Sequence, residues 1–327
     1  MSTPETVPDR QPLPPRGPTT GFGTIVARWG AALLALVPLA ILAAIVIALL
    51  SASGFVNFGL EFFSLRWNPA GNEWGIGVFV AGSFLTAIPA LFFSMVIGIG
   101  IAVASTTYVP RPLAPALDAF VDLLAGIPSV VYGIWAFLVI APIFGSILEP
   151  WLVTHVSFVP GFGPPLGASS GIGILLAMFV LTLMALPITT LLIRDALRSV
   201  PTDLWESGLA LGATRWEVVR RVAIPYGRRG IWSAGFLGFG RAFGETVAVA
   251  MVIGTATNLP RNAYDIGNTM AATMFELLDS ALGGTGHVQF LAALAEMGLV
   301  LLAISLFVNI VGRRLISSLA GRQIPGL

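Results

Sequence analysis

The chain has 327 residues, of which 56% are hydrophobic and only 10% are charged, whereas soluble domains carry about 25% charged residues. This composition excludes a water-soluble globular protein. The formal net charge of +1 gives no bulk attraction to nucleic acid, so a nucleic-acid partner is not expected.

A proline-rich tail precedes the first apolar stretch. Six prolines fall within the first 18 residues, a composition that opposes helix and core formation, so residues 1–28 are predicted to be a disordered cytoplasmic tail. A cleaved secretory signal is the alternative for the apolar run at 29–50, but signals have a shorter apolar run of about 7–15 residues nearer the start. Residues 29–74 are therefore predicted to be a retained membrane helix followed by an external segment.

Six stretches are long and apolar enough to cross a membrane. A bilayer core about 30 Å thick needs about 20 mostly apolar residues in a helix. The predicted spans are residues 29–50, 75–108, 117–144, 171–193, 231–256 and 289–311. They indicate an all-α integral membrane protein with six transmembrane helices.

The arginines indicate the orientation, because cytoplasmic loops of membrane proteins are enriched in positive charge. All 17 basic residues are arginines, and with the N-terminus placed inside, 14 of them fall in cytoplasmic segments. Both termini are therefore predicted to be cytoplasmic, including the tail 314–327. The segments 51–74, 145–170 and 257–288 are predicted to be external.

The cytoplasmic segment 194–230 is predicted to contain two short helices. Asp203 and Glu206 are spaced as a cap for the first helix, which is expected over 204–211. Gly212 is a usual residue type just past a helix C-terminus, so the first helix is expected to end there.

The second short helix is predicted to open with the capping box Thr214-x-x-Glu217 and to stop before Pro225. Exposed apolar residues rimmed by charge indicate a surface for a partner protein. An amphipathic segment lying on the inner leaflet explains the same pattern, and the residues alone leave both interpretations open. The elbow between the two helices is expected to expose Trp205, Leu209 and Leu211.

Missing residue types exclude several chemistries. The chain has no Lys, which the phosphate-binding loop G-x-x-x-x-G-K-[ST] requires, so any ATP that drives this protein is hydrolysed by another chain. It has no Cys, which excludes disulfides and thiolate metal sites. Only His155 and His287 are present, so no metal site is predicted.

Charged residues lie within two predicted spans. Arg241 and Glu245 are four residues apart, which places them on one face of a continuous helix. A charge at the membrane centre costs about 2.5–3.5 kcal/mol, so both are expected to face the protein interior. Two interpretations stay open: an ion pair that clamps helices, or a site where the Arg241 guanidinium meets an oxyanion and Glu245 weakens its binding. Glu296 in the sixth span is a candidate member of the same cluster.

Two further patterns carry less weight. Residues 167–171 fit the nucleophile-elbow pattern G-x-S-x-G around Ser169, but they lie at the outer end of a predicted span, which favours a glycine–serine linker over a serine hydrolase. Asp118 and Asp122, one helical turn apart, are expected to face water or a neighbouring arginine rather than form a catalytic pair.

The cytoplasmic segment resembles a known motif. The run from Glu206 through Gly212 to Pro225 is similar to the EAA loop of ABC importer permeases, E-A-A-x3-G-x9-I-x-L-P. The chain departs from that motif at Ser207 and Gly208, and also at Val222 and Ile224, while the Glu, Gly and Pro keep their spacing. The resemblance implies a coupling helix that sits in a cleft of a separate ATPase subunit. The coupling residues it implies are Trp205, Glu206, Gly208, Leu209, Gly212, Ile224 and Pro225.

Two membrane segments narrow the family. Residues 241–246, Arg-Ala-Phe-Gly-Glu-Thr, resemble the R-A-x-G-E-T signature of the phosphate-specific transport (Pst) permeases. Residues 126–133 resemble the I-P-S-V-V-Y-G segment of the same family, nearest to its PstC subunit. The residues predicted for the translocation pathway are Arg241, Glu245 and Thr246 from the first of these segments, together with the candidate Glu296 in the sixth span. Pro128, Ser129 and Tyr132 belong to the family segment in the third span.

Membership of this family implies a type I ABC importer permease of the MetI-like fold over residues 75–313, in a bacterial plasma membrane. The implied partners are a homologous second permease (PstA-like), a dimer of ATPase subunits (PstB-like) and an external phosphate-binding protein (PstS-like). The chain itself is expected to be non-catalytic and to hold no cofactor, with ATP and Mg2+ on the partner ATPase. The alternatives are a permease for molybdate, sulfate or phosphonate, a membrane sensor, and an intramembrane hydrolase using Ser169.

Overall fold

The computed structural model describes residues 22–54, 59–110, 112–164, 170–283 and 287–320. The chain divides into two compact units, Met1–Ala48 and Leu49–Leu327. Helices form nearly all of the described chain, as predicted for an all-α membrane protein.

The first helix, α1, runs over Phe22–Ser53. Its stretch Trp29–Ser53 has 25 residues and a mean hydropathy of 3.1, and at 1.5 Å per residue it is long enough to cross a bilayer core. Residues 22–28, predicted to be disordered, are helical here, because the last proline of the tail is Pro18 and no proline lies within 22–28 to interrupt the helix. The rest of the predicted tail lies outside the described residues.

A small hairpin precedes the second membrane helix. Strand β1 (Trp67–Asn68) pairs antiparallel with strand β2 (Glu73–Trp74). The Trp67 ring packs edge-on against Phe79, with ring centroids 5.1 Å apart. This contact holds the hairpin against helix α2, which spans Gly77–Val103 and continues as a π turn to Tyr108.

Helix α3 (Ala114–Gly126) and a longer helix from Ser129 to Val156 replace the predicted third span at 117–144. One span is present there as predicted, but its predicted bounds were wrong, because Pro128 lacks an amide hydrogen and forces the preceding Ile127 into an extended conformation, with ψ 127°. The longer helix consists of α4 (Ser129–Trp135), α5 (Ala141–Ile143) and α6 (Glu149–Val156), joined by π turns at Ala136–Ile140 and Phe144–Leu148.

Helix α7 (Ile174–Arg198) forms the centre of the larger unit. In its most apolar 18-residue window 61% of residues are buried, the highest share among the candidate spans of the described chain. It packs against α2, where Gly98 faces Thr189 and Thr190, and against the later membrane helix at Gly238. Small residues at these positions let membrane helices approach closely.

The remaining helices include a broken span. Helix α10 (Ile224–Phe243) is followed after three residues by α11 (Val247–Ile253), and the axes bend by 64°. Helix α12 (Met270–Gly283) precedes α13 (His287–Ala320). Among the described residues, five helices are long and apolar enough to cross a membrane, or six if the bent pair counts as one span, in agreement with the predicted number.

Candidate functional site

The elbow after α7 has the predicted turn chemistry. Helix α8 (Thr202–Ala210) is followed by Gly212 in the left-handed region at φ +81°. Thr214 then caps α9 (Arg215–Val218): its Oγ1 accepts a hydrogen bond from the Glu217 amide at 3.3 Å, and its own amide donates to Glu217 Oε2 at 2.8 Å. The predicted capping box and the helix end at Gly212 are therefore confirmed.

The predicted cap of the first short helix was wrong. Helix α8 begins directly after Pro201, with no side-chain capping bond, and Asp203 lies inside its first turn. The restricted φ of Pro201 favours the backbone direction in which α8 begins, so the helix starts there without a polar capping side chain.

The elbow presents an apolar surface. Leu209 and Trp216 are exposed, and Leu211 is 88% exposed. Trp205, predicted to be exposed as well, instead packs against a buried cluster formed by the C-terminal ends of α2 and α7 and the N-terminal half of α10. Glu206 is exposed, while Gly208 lies against Val218 where α8 crosses α9.

The helix that follows the elbow does not stop before Pro225 as predicted. Residues Val219–Ala223 form a π turn that leads directly into α10. Pro225 lies in the first turn of α10, directly after the π turn, where the pattern of backbone hydrogen bonds changes. Its missing amide hydrogen therefore removes no hydrogen bond from the α-helix. Ile224 is half-buried against the same cluster as Trp205, and Pro225 is exposed.

Helix α3 is fastened to the C-terminal end of α7. Asp118 forms ion pairs with Arg194 at 2.6 Å and with Arg198 at 2.8 Å. Partial burial raises the pKa of Asp118, but the hydrogen bonds and charges of the two guanidinium groups outweigh it and hold the pKa below its ordinary value. The expectation that Asp118 faces a neighbouring arginine is confirmed.

The other end of α3 is fastened across the break at Pro128. The buried Tyr132 on α4 donates a hydrogen bond from its hydroxyl to the Leu124 carbonyl at 2.9 Å. Ser129 opens α4, with Pro128 in the position before it. The family segment that contains these residues therefore forms the hinge between α3 and the third membrane helix.

The predicted pairing of Arg241 with Glu245 along one helix face was wrong. Helix α10 ends at Phe243, Gly244 adopts φ −95° and ψ 2°, and Thr246 precedes α11. Glu245 therefore lies in the break, where the helical spacing of four residues no longer applies. Within the described chain, Arg241 and Glu245 form no ion pair with each other.

A cavity of about 190 Å³ brings some of the predicted residues together. Arg241 and Tyr132 line it, whereas Glu245 and Thr246 do not. Glu296 is completely buried on α13 and is also absent from the lining. Ser169 lies outside the described residues. The complete lining is Asp122, Leu124, Ala125, Tyr132, Met184, Pro187, Ile188, Leu191 and Arg241.

Sequence reasoning missed the part that α3 plays in this cavity. The sequence analysis expects Asp118 and Asp122 to face water or a neighbouring arginine and predicts no cavity beside them, because it places them at the start of a membrane span. A usable signal was present: Asp118 and Asp122 repeat at one helical turn, and so do Arg194 and Arg198 near the end of α7. Matching periodic charges of opposite sign on two helices indicate that the helices are neighbours.

Comparisons with known proteins agree with this architecture. Residues 94–320 match the family described as "Binding-protein-dependent transport system inner membrane component". The chain is similar to the "Phosphate transport system permease protein PstC" of Mesorhizobium japonicum, 34% identical over 296 residues that make up 88% of each chain. It is 36% identical to the protein of the same name in Xylella fastidiosa over 267 residues, 80% of each chain.

A solved structure supports the fold. The chain resembles a bacterial ABC transporter involved in the import of the acidic polysaccharide alginate, with a TM-score of 0.58 and 16% identity over 89% of this chain and 98% of that chain. At this level of identity the likeness concerns the fold alone. The predicted ABC importer permease fold is confirmed by the family match and this likeness together.

Proposed function

This chain belongs to the PstC family of phosphate transport system permeases, and we propose that it forms one half of the membrane pathway of an ATP-driven importer of inorganic phosphate. The observation that carries the proposal is the position of Arg241 beside the cavity and its lack of an ionic partner among the described residues. It is exposed, lines the cavity between α3, α4 and α7, and forms no ion pair with the described residues.

The chemistry of Arg241 suits an oxyanion. A guanidinium group presents paired N–H donors that match two phosphate oxygens, and it stays protonated at every physiological pH. A membrane arginine without an ionic partner is costly unless it faces water or a ligand. The break at Gly244 supports this role, because it ends α10 just after Arg241 and turns α11 away by 64°.

The elbow supplies the connection to ATP. As a member of the ABC transporter permeases, the chain works with partner subunits, and the absence of Lys supports ATP hydrolysis on a separate chain. We assign the docking surface of the ATPase to the exposed leucines and Trp216 of the elbow. In this proposal a movement of α8 is passed to the membrane helices through Arg198. Arg198 is the last residue of α7 and forms an ion pair with Asp118 on α3.

We propose the finer assembly by analogy with the family. A PstA-like permease forms the other half of the pathway, a PstB-like dimer binds ATP and Mg2+, and a PstS-like protein delivers phosphate from outside. Both termini and the elbow face the cytoplasm, where ATP is present, which agrees with the concentration of arginines in those segments. This chain is the non-catalytic subunit of that complex.

The test is uptake of labelled phosphate at low external phosphate by cells that lack this chain, with and without complementation, in a strain without another phosphate importer. Sulfate, molybdate and phosphonate serve as competitors. Loss and rescue of phosphate uptake that resists these competitors is the expected result. Unchanged uptake would show that the permease carries another oxyanion, and the absence of any ATP-dependent flux would favour a sensor.

The hydrolase alternative has its own test. Ser169→Ala is expected to leave phosphate uptake unchanged. If the variant instead abolishes a hydrolytic activity that the purified chain shows without ATP, the assignment as a non-catalytic subunit is wrong.

A further inference from the structure

The cavity contains two opposite charges that do not meet. Arg241 from α10 and Asp122 from α3 both line it. Within the described chain neither side chain forms an ion pair or a side-chain hydrogen bond. Two unpaired groups of opposite charge around one cavity leave room for a ligand that satisfies both of them.

The requirements on that ligand are specific. It must carry negative charge for the guanidinium group of Arg241, and it must offer a hydrogen-bond donor to the carboxylate of Asp122, which accepts only. Inorganic phosphate at neutral pH combines both features, because it is an anion that keeps at least one P–OH group. Sulfate keeps no hydroxyl group at that pH, so its oxygens would face the carboxylate as like charges.

The position of Asp122 is held from both sides. One turn before it, Asp118 binds Arg194 and Arg198 on α7. Two residues after it, the Leu124 carbonyl accepts the hydrogen bond from Tyr132. A carboxylate on a segment fastened at both ends is preorganised for a ligand and loses little conformational freedom on binding.

We propose that Asp122 is a specificity-determining residue of the anion pathway: its carboxylate accepts a hydrogen bond from the P–OH group while Arg241 binds the unprotonated oxygens. The proposal rests on the proposed function and adds the basis on which the pathway distinguishes oxyanions. It predicts that arsenate, which keeps a hydroxyl group at neutral pH, is accepted like phosphate, whereas sulfate is rejected.

The test uses the membrane complex of this chain with its partner subunits in lipid nanodiscs, without the external binding protein, so that selection by that protein does not contribute. Binding of labelled phosphate and sulfate is measured, with arsenate as competitor. In Asp122→Asn the ratio of phosphate to sulfate affinity is expected to fall about tenfold. Phosphate loses its hydrogen bond to a charged carboxylate, and sulfate is no longer repelled by that charge.

Matched variants separate specificity from structure. Asp195→Asn makes the same chemical change at an exposed carboxylate of α7 outside the cavity lining, and the ratio should not change. Asp122→Glu keeps the acceptor and should keep the preference for phosphate. Arg241→Ala should lose both anions.

Two results would overturn the proposal: an unchanged ratio in Asp122→Asn, which includes an equal loss of both anions, or no binding of phosphate by the wild-type complex. The proposed function survives each of these if phosphate uptake by complemented cells is normal. If the cells take up no phosphate through the wild-type complex, the proposed function itself fails.

Discussion

The elbow at Gly212 and the break at Gly244 use the same residue types in different ways. In each, a helix ends at or near a glycine, a threonine lies two residues after that glycine, and the next helix begins directly after the threonine. At the elbow Gly212 has φ +81° and Thr214 makes a capping bond. At the break Gly244 has φ −95°, and the Thr246 side chain makes no capping bond to α11.

The difference lies in what stabilises each bend. The elbow is closed by bonds between residues three apart and projects apolar side chains outward. The break depends on packing, since α11 lies so close to α4 that a Cβ added at Gly133 would be 3.1 Å from the Cα of Ala248. A locally closed bend suits a docking surface, whereas a bend set by packing places Arg241 beside a cavity.

The largest effect is expected at the break. Arg241→Ala should reduce phosphate uptake by about a hundredfold or more, because the cavity loses its cation while the fold keeps its contacts. Initial rates of labelled phosphate uptake measure this, together with co-purification of the partner subunits. Arg261→Ala, the same change at an exposed loop arginine, should behave like wild type. Normal uptake by an assembled Arg241→Ala complex would remove Arg241 from the pathway.

The ion pairs that join α3 to α7 are expected to matter next. Asp118→Asn leaves the buried Arg194 without its carboxylate, which should destabilise the complex by about 3 kcal/mol. Thermal unfolding of the purified complex measures this, with Asp195→Asn as the exposed control. Equal melting temperatures for the two variants would show that the ion pair contributes nothing.

The stabilising effect of Asp118 should also depend on pH. Because the pKa of Asp118 in the folded protein lies below its ordinary value of 3.8, its stabilising effect is fully present above that value and is lost as the pH falls through the lower, folded-state pKa. The difference in unfolding free energy between wild type and Asp118→Asn should therefore stay constant from about pH 7 to 5 and shrink below about pH 4. A difference that grew on acidification would contradict this sign.

Strain at the elbow should have a smaller effect. Gly212→Val forces a β-branched residue to φ +81°, at a cost of about 1–3 kcal/mol, although no atom lies within 4 Å of the added Cβ. ATP hydrolysed per phosphate transported should rise several-fold. Gly212→Asn tolerates the left-handed region and should stay close to wild type. If Val and Asn behave alike, the conformation of Gly212 does not govern coupling.

The smallest effect is expected from the caps. Thr214→Ala removes the capping bond and should cost about 1 kcal/mol of local stability, measured as faster amide hydrogen exchange in α9. Thr246→Ala removes a hydroxyl that donates only to the Gly244 carbonyl at 3.3 Å and makes no such cap, so exchange in α11 should change less. The reverse order would contradict the contrast between the two bends.

Sequence patterns predicted the features of the fold that are determined by residues close together in the chain. The number of spans, the capping box and the turn at Gly212 all follow from residues within one or two turns of each other. The bend at Gly244 did not follow, because a glycine in an apolar run is compatible with a continuous helix until packing against α4 decides otherwise.

The cavity was only partly predictable for the same reason. Arg241 and Tyr132 were identified from their family segments, but their meeting with Asp122 depends on α3 folding back from the break at Pro128. The residue before a proline is biased toward an extended conformation, which was a usable signal for that break. The direction in which α3 turns depends on Asp118 and the two arginines of α7.

The most direct test of the account is whether phosphate occupies this cavity. The chain has no cysteine, so Ile188→Cys places a single thiol of this chain in the cavity lining, and its modification by a charged thiol reagent is measured in the reconstituted complex. Phosphate is predicted to slow the modification at Ile188→Cys and to leave unchanged the modification of an exposed control outside the lining, Phe158→Cys in the turn after α6. Equal modification with and without phosphate, in a complex that transports phosphate, would contradict the assignment of this cavity to the anion pathway.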